Sequence, residues 1–364
     1  MKRLPVETLK AFMEEVFVRI GVPAGDARIC SNILIASDLR GIESHGIGRL
    51  KMYYDRIKAG IQKPVTEISV IRDKYATAVW DGNHGMGHVI GFKAMQTAID
   101  KARQYGLGAI AVRNSTHFGI CGYYADMACQ ADMIGLNFTN ARPSVCPTHG
   151  VEPLLGTNPI CFGAPTDLEF PFIYDAATSI SQRGKIEQYA REEKPTPQGW
   201  AIDLEGNPHT DTKRLLVDLV KQTASLVPIG GTEELSGGHK GYGLSAMVEI
   251  LCAALQQGSF LNQLLGQDDS GKPAPYKLGH FFLAVNIDFF TEIENFKKTC
   301  GSICRELQHS RLFPGRERIW VAGEKEYEKQ LEVQKLGVPI IPNLQRDIEF
   351  MQNELQLDML NFEK

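Results

Sequence analysis

The spacing of apolar positions along this chain changes near residue 65. Before it, large apolar side chains recur at helical spacing in VETLKAFMEEVFVRI (Leu9, Phe12, Val16, Phe17, Ile20). A second helix is predicted from about Ala24, after the break at Gly21 to Pro23, and a third in GRLKMYYDRIKAG, which stops on Gly60 as a helix should. Little of this part looks like sheet. From about residue 65 short apolar runs take over: TEISVI, TAVW, LGAIAVR, IGLNFT, NPICFGAP and FIYDAAT. Glycine, proline and asparagine separate them, and helices interrupt them near 88–105 and 121–131, the texture of a mixed α/β domain. Residues 185–228 are more polar and carry the turn signal DLEGNP before TDTKRLLVDLVKQTA regains helical periodicity, so they read as a small insertion. A long helix from about Lys240 to Gln256, a strand in HFFLAVNID and charged helices over the last fifty residues complete the pattern, with no internal repeat.

Composition narrows the possible partners. With 364 residues, 43% hydrophobic and 23% charged, the chain suits a globular protein of two or three domains with a sizeable core. A formal charge of -4 leaves no basic footprint for nucleic acid, so a small anionic ligand needs local cations. No apolar run reaches membrane-spanning length, and the first segment is an amphipathic helix with internal charges rather than a signal peptide, so no membrane and a cytoplasmic location are expected. Eight cysteines without a CxxC pair suggest buried thiols rather than disulfides; Cys300 and Cys304 are spaced to share a helix face.

The stretch ATAVWDGNHGMGHVIG sets strand, glycine loop and helix in the order of a Rossmann dinucleotide fingerprint. Its spacing is GxGxxxG (Gly85, Gly87, Gly91), Asp81 to His84 separate strand from glycines, and the next strand ends on Arg113 instead of an acid. A tight turn into a helix explains these glycines as well as a phosphate cradle does.

Other polar groups carry more chemistry. In RGIESHGIGRLKMYY, His45 and Arg49 stand four apart where a helix begins, which would put both on one face if the helix includes both. Oxidising an α-hydroxy acid needs a base at the hydroxyl and a fork-shaped cation at the carboxylate, and imidazole with guanidinium supplies both; a capping His beside a surface Arg is the plainer alternative. His117 lies in a loop bracketed by Gly119 and Gly122 at a strand's end, where sites gather, although a structural histidine fits equally. Asn158 precedes Pro159, and FIYDAATSISQRGKI brings a strand to Thr178, Ser179 and Ser181, small donors that let a ring or phosphate approach the main chain. Lys240 sits between glycines at a helix start, either near an anion or simply solvated.

SHGIGR, NSTHFGICGYY, GTNPICFGAP, DAATS, GWAIDLEGNP and GGHKGYGLSAMVEIL, in this order and at these separations, resemble the malate/L-lactate dehydrogenase family. That family is distinct from the Rossmann lactate and malate dehydrogenases and includes ureidoglycolate, sulfolactate and diketogulonate-type oxidoreductases. The likeness spans nearly the whole chain and is greatest to malate-using members. It implies an α/β fold with a non-Rossmann NAD-binding domain, a largely antiparallel sheet flanked by helices, a helical domain from both termini and a small insertion. The expected boundaries are 1–72 with 310–364 for the helical domain, 73–184 with 229–309 for the cofactor-binding domain and 185–228 for the insertion. The opening glycines then belong to the α/β domain and not to a pyrophosphate site. By motif, His45 and His117 match acid/base positions and Arg49 the substrate-carboxylate position. Thr178, Ser179, Ser181, His239, Lys240, Gly323 and Glu324 match cofactor-contacting ones, with Ala322 where the family usually has proline.

The expected activity is interconversion of a 2-hydroxy and a 2-keto acid, malate favoured, lactate, ureidoglycolate or sulfolactate as alternatives. NAD is the expected cofactor, NADP staying open because Arg183 with Lys185 could meet a phosphate or a substrate. Arg40, Arg142, Arg183 and Lys185 are candidates for a second carboxylate. The apolar face of the first helix alone suits a monomer, whereas the resemblance implies a homodimer with a shared site. From a different class, His84 and His88 (HxxxH) with His45 or His117 could form a metal-dependent hydrolase, but Gly85 replaces the glutamate of HExxH, and no metal is expected.

Overall fold

The computed structural model describes residues 2–362. The chain begins with β1 (Lys2–Leu4), α1 (Val6–Arg19) and α2 (Ala24–Leu39), the two helices each preceded by a proline that cannot donate to a preceding turn. A 3-10 turn at Ile47–Arg49 leads into α3 (Leu50–Lys58). Next come β2 (Ser69–Lys74), β3 (Thr77–Asp81), α4 (Gly87–Tyr105), β4 (Leu107–Ser115), α5 (Cys121–Gln130), β5 (Met133–Thr139), β6 (Ile160–Ala164) and β7 (Phe172–Ala176). The polar block forms α6 (Arg183–Arg191), β8 (Ala201–Asp203), α7 (Thr212–Lys221), N-capped by Asp211, and β9 (Ala224–Leu226). Then follow α8 (Gly238–Ala253), β10 (Leu278–Asn286), α9 (Ile293–Gln308), α10 (Glu324–Leu336), β11 (Val338–Ile340) and α11 (Pro342–Leu355).

Seven strands form one sheet in the order β2-β3-β4-β10-β5-β6-β7, antiparallel throughout except for the parallel pair β3 and β4. Strand β10, from late in the chain, takes the centre. Its alternation explains this: Phe282 and Ala284 enter the core under α4 and α5, while Phe281 packs with Phe138, Val248 and Cys252 under α8 on the opposite face. The sheet is thus flanked by helices on both faces.

A second core joins both chain ends. Leu9, Phe12, Val16 and Phe17 of α1 and Tyr53 of α3 pack with Val333, Val338, Ile348 and Met351. The short strands β1 and β11 pair antiparallel, Lys2 opposite Ile340, a closure that three-residue strands leave invisible in the apolar pattern. Removing the fully buried Phe12 side chain here costs about 3–5 kcal/mol. The polar block has its own small core, with Ile186, Leu215 and Leu219 against Val145 and Leu155. All eight cysteines are free, and the Cys300 and Cys304 side chains meet on α9. Among the described residues no helix is long and apolar enough to cross a membrane.

The glycine stretch makes the strand–loop–helix–strand unit β3-α4-β4, yet its glycines serve packing. A Cβ on Gly87 would lie 2.3 Å from the Thr116 carbonyl oxygen and 2.5 Å from that of His117; one on Gly91 would strike the Tyr124 ring at 2.8 Å. At the entry to α4, the Met86 N–H donates to Thr66 Oγ1 (3.0 Å) and the Gly87 N–H to Thr116 Oγ1 (2.9 Å). The glycines let α4 lie directly against the segment that carries His117.

Gly87→Ala should therefore lower stability by about 1–3 kcal/mol in urea titration, because the added methyl meets backbone that cannot yield cheaply. Gly243→Ala, on exposed α8 surface with open space around the Cβ, should be neutral or stabilising by about 0.4–1 kcal/mol. Equal effects of the two substitutions would refute the packing role of Gly87.

Candidate active site

Strand β4 ends at Ser115, and Thr116 fastens the following loop by donating its hydroxyl to the Gly85 carbonyl (2.8 Å). Phe118 stacks flat on buried His280, 4.4 Å between centroids, and His280 Nδ1 is hydrogen-bonded to Thr139 Oγ1 (2.8 Å). Between these anchors His117 turns its Nδ1 to the Tyr53 hydroxyl (2.5 Å) and the Gly119 N–H (3.4 Å).

His45 reaches the same place from the turn after α2. Buried Asp38 accepts the Ile47 N–H (2.8 Å), and a Cβ on Gly46 would overlap the Asp38 carboxylate, so only glycine lets the turn close this tightly. The Ser44 hydroxyl lies 2.8 Å from His45 Nδ1. The His45 and His117 rings stack with centroids 5.3 Å apart and planes at 28°. Each has its Nδ1 engaged, and neither Nε2 has a hydrogen-bond partner among the described residues. The shared helix face expected for His45 and Arg49 does not exist: His45 precedes the 3-10 turn that contains Arg49, because Asp38 draws the chain into a turn there. The two are held together locally instead, by the turn over residues 42–49. Arg49 donates Nε to the Ser44 carbonyl (2.6 Å), leaving its two terminal nitrogens open.

Burial, and after it the Arg49 charge, lowers the His45 pKa to about 4. His117 is held well below the usual histidine range by burial, then by His45, Arg49 and Arg56. Burial alone brings His88 to about 3; it packs edge-on to Tyr53 at 4.7 Å, and neither of its ring nitrogens has a partner. Burial raises the Tyr53 phenol, which stays neutral and donates to His117 Nδ1, since that nitrogen already accepts the Gly119 N–H. At neutral pH the site thus presents two uncharged imidazoles beside guanidinium, the arrangement of a proton acceptor next to an anion anchor.

A cavity of about 380 Å³ has a lining that includes neither histidine nor Arg49. Ile42 and Ile120, each three residues from a site histidine, line it together with Gly122, Asp175 and Gly323. Asp175 accepts the Gly122 N–H (2.6 Å), and Arg40 pairs with Asp126 (2.8 Å). Gly323 takes φ 92 at the start of α10, where a Cβ would meet the Pro171 carbonyl. The Glu324 carboxylate does not face the cavity's contents: it accepts from Val321 N–H (3.0 Å) and Gln308 (2.8 Å) and pairs with Arg318, so it holds the loop's shape.

The other expected residues are dispersed. Thr178 Oγ1 lies 3.1 Å from the Thr157 and Asn158 carbonyls, Ser179 donates to the Ser181 carbonyl (2.6 Å), and Ser181 Oγ is buried without a partner. His239 and Lys240 are exposed on the first turn of α8. Arg142 donates to the Val220 carbonyl (3.2 Å) beside α7, and Arg183 pairs with Glu187 on α6 (2.9 Å). His84 lies in the loop before α4 and His88 inside it, so HxxxH does not occupy one helix face, and no group of three metal-ligating side chains occurs among the described residues. Sequence reasoning missed Tyr53 and Arg56, and it weighed His88 only as a metal ligand, whereas it packs against Tyr53. Continuing the helical stripe from Arg49 through i+4 and i+7 would have found the first two.

Residues 4–349 match the family model described as malate/L-lactate dehydrogenase. A malate dehydrogenase of Pyrococcus abyssi is 45% identical over 93% of this chain and 91% of its own length. An L-sulfolactate dehydrogenase of Methanocaldococcus jannaschii is 35% identical over 99% of both chains. The crystal structure of malate dehydrogenase from Entamoeba histolytica superposes with a TM-score of 0.96, at 43% identity over 99% of both chains. None of these relatives supports a hydrolase.

The electrostatics can be tested directly. In imidazole NMR titrations His45 should stay neutral through pH 7 and gain its proton only as pH falls toward about 4. Arg49→Gln removes a lowering charge but not the burial, so the His45 midpoint should rise while remaining below the model-peptide value of about 6.5. A midpoint unmoved by the substitution would remove Arg49 from the neighbourhood assigned to it.

Proposed function

The chain belongs to the malate/L-lactate dehydrogenase family and is a dehydrogenase of small 2-hydroxy acids; on that premise we propose that it interconverts malate and oxaloacetate with NAD. The observation that carries this reading is the stacked His45–His117 pair with open Nε2 edges beside the free fork of Arg49. The substrate's first carboxylate lies on the terminal nitrogens of Arg49, which fixes the neighbouring hydroxyl against the two Nε2 edges. Two stacked imidazoles near guanidinium hold at most one extra proton between them. One Nε2 therefore takes the hydroxyl proton while the other ring stays neutral and hydrogen-bonds the oxygen; in reduction the proton returns by the same route. The nicotinamide, when bound, supplies the hydride acceptor or donor.

Gly122, Asp175 and Gly323 of the cavity, and the Thr178–Ser181 segment that follows β7, are the residues that would hold the cofactor. The unpartnered Ser181 hydroxyl fits a polar ligand. Asp126, Glu169, Asp175 and Glu326 line the cavity against the single cation Arg40, itself paired, a field that favours NAD over a cofactor with an added phosphate. The glycine turn before α4 is not the pyrophosphate site in this reading, since threonine hydroxyls already take N–H groups there. A homodimer belongs to the reading as well. Leu244, Met247 and Ile250 leave an exposed apolar stripe on α8 that a second copy would cover. Eight free thiols suit a cytoplasmic setting.

The test is absorbance of the reduced nicotinamide with paired hydroxy and keto acids and with both cofactors. Malate and oxaloacetate should be turned over with NAD, and His45→Ala and His117→Ala should each lower kcat by roughly 10²-fold or more. Arg49→Lys, losing the fork, should raise KM for the acid with little change in cofactor affinity. Wild-type rates in both histidine variants would overturn the mechanism.

A further inference from the structure

A dicarboxylate needs a second cation, and the residues weighed for it from sequence are engaged elsewhere. Arg40 pairs with Asp126, Arg142 bonds a main-chain carbonyl beside α7, Arg183 pairs with Glu187, and Lys185 donates to Gln188 (3.1 Å). Arg56 is different. It follows Tyr53 by three residues and Arg49 by seven, so the three side chains lie in one stripe along α3 and the turn before it. Tyr53 in that stripe touches His117, which brings the stripe to the stacked histidines. The Arg56 guanidinium has no hydrogen bond and no ion pair among the described residues; its contact is with the Tyr276 ring, 4.3 Å to the centroid. The acid beside it, Asp55, is held by Lys51 (2.7 and 2.8 Å). Arg56 is partly buried, and its charge depresses His117 alongside that of Arg49. A ring contact of this kind orients a guanidinium yet leaves its in-plane N–H donors open.

Two turns of helix separate Arg49 from Arg56, roughly 10 Å of rise, and both side chains are long enough to converge. Converged in this way, the two guanidinium groups would meet the carboxylates of a four-carbon diacid, which lie much closer together than the two helix positions, with its hydroxyl between the grips. A three-carbon monoacid would reach Arg49 alone.

We propose that Arg56, oriented by Tyr276, binds the second carboxylate of a four-carbon dicarboxylate whose first carboxylate lies on Arg49, and so sets the preference for dicarboxylic over monocarboxylic substrates. This rests on the 2-hydroxy-acid dehydrogenase reading above. Arg56 is thereby a specificity residue and Tyr276 a positioning residue.

The experiment compares kcat/KM for oxaloacetate and pyruvate in the wild type, Arg56→Gln, Arg56→Lys and Tyr276→Leu. Wild type should prefer oxaloacetate. Arg56→Gln should lose about 10²-fold on oxaloacetate, chiefly in KM, and only a few-fold on pyruvate, so that the preference collapses. Arg56→Lys should recover part of it, as a charge without a fork. Tyr276→Leu should raise KM for oxaloacetate several-fold with kcat kept. Equal losses on the two acids in Arg56→Gln would overturn the proposal, showing that Arg56 acts on His117 or the fold alone. A wild type that prefers oxaloacetate and keeps that preference in Arg56→Gln would overturn it too, while leaving the malate reading intact. A wild type that reduces neither keto acid would sink the dehydrogenase chemistry and this proposal together.

Discussion

The hydrogen bond between the Tyr53 hydroxyl and His117 Nδ1 crosses between two cores that α2 and α4 also bridge, with Leu34 and Val89 in one and Ile33 and Ile90 in the other. Tyr53 belongs to the core built from both chain ends, and the His117 loop hangs from the sheet through Phe118 and Thr116. One fully buried phenol thus ties the helix that follows Arg49 to a histidine that the sheet supplies. The contact is enforced from behind. His88 and Phe17 pack around the Tyr53 ring, and Gly87 lets α4 bring His88 close enough to do so. His88 has no hydrogen-bonding role; it is a polar ring used as a packing element, and its cost is that it must stay neutral.

The elements were legible in the sequence where the apolar period was strong, and their arrangement was not. Helices α1 to α5 and α8, and strands β3 to β7 and β10, sit where the runs place them. No local pattern could reveal that β10 takes the sheet's centre or that β1 closes onto β11, because those pairings join residues far apart in the chain. The site shows the same division. The motifs named His45, His117 and Arg49, which the fold does assemble, but the helix face that His45 and Arg49 would share if one helix included both is absent. A buried Asp38 carboxylate pulls the chain into a turn at Gly46 instead. Arg142 and Arg183 looked available because a sequence cannot show that Val220 and Glu187 lie within reach of their side chains. Tyr53 and Arg56 were hidden inside YYDR, which reads as ordinary amphipathic helix until the fold shows what the stripe faces.

Charge is sorted across the site. Arg49 and Arg56 stand on the α3 side of the histidines, while Asp126, Glu169, Asp175 and Glu326 collect on the cavity side with Arg40. In a chain of formal charge -4 this is a local inversion, and it has two effects. In the proposed reading it would draw an anionic substrate to the guanidinium groups and leave the acid-lined cavity to a ligand without an extra phosphate. It also lowers the histidine pKa values through the guanidinium groups, since an imidazolium next to two cations is costly.

That cost is what makes the pair useful in both directions. A histidine left at its ordinary value would be partly charged before substrate arrived and would have no lone pair to offer a hydroxyl. Here burial first, then Arg49 at both rings and Arg56 at His117, keep the two imidazoles neutral. In the proposed reaction, a carboxylate on the guanidinium groups would remove part of the penalty on protonation, making the ring that takes the proton a better base when the hydroxyl is in place. The groups proposed to hold the acid would then also time the proton transfer, and neither task could be moved to a distant cation without losing the other.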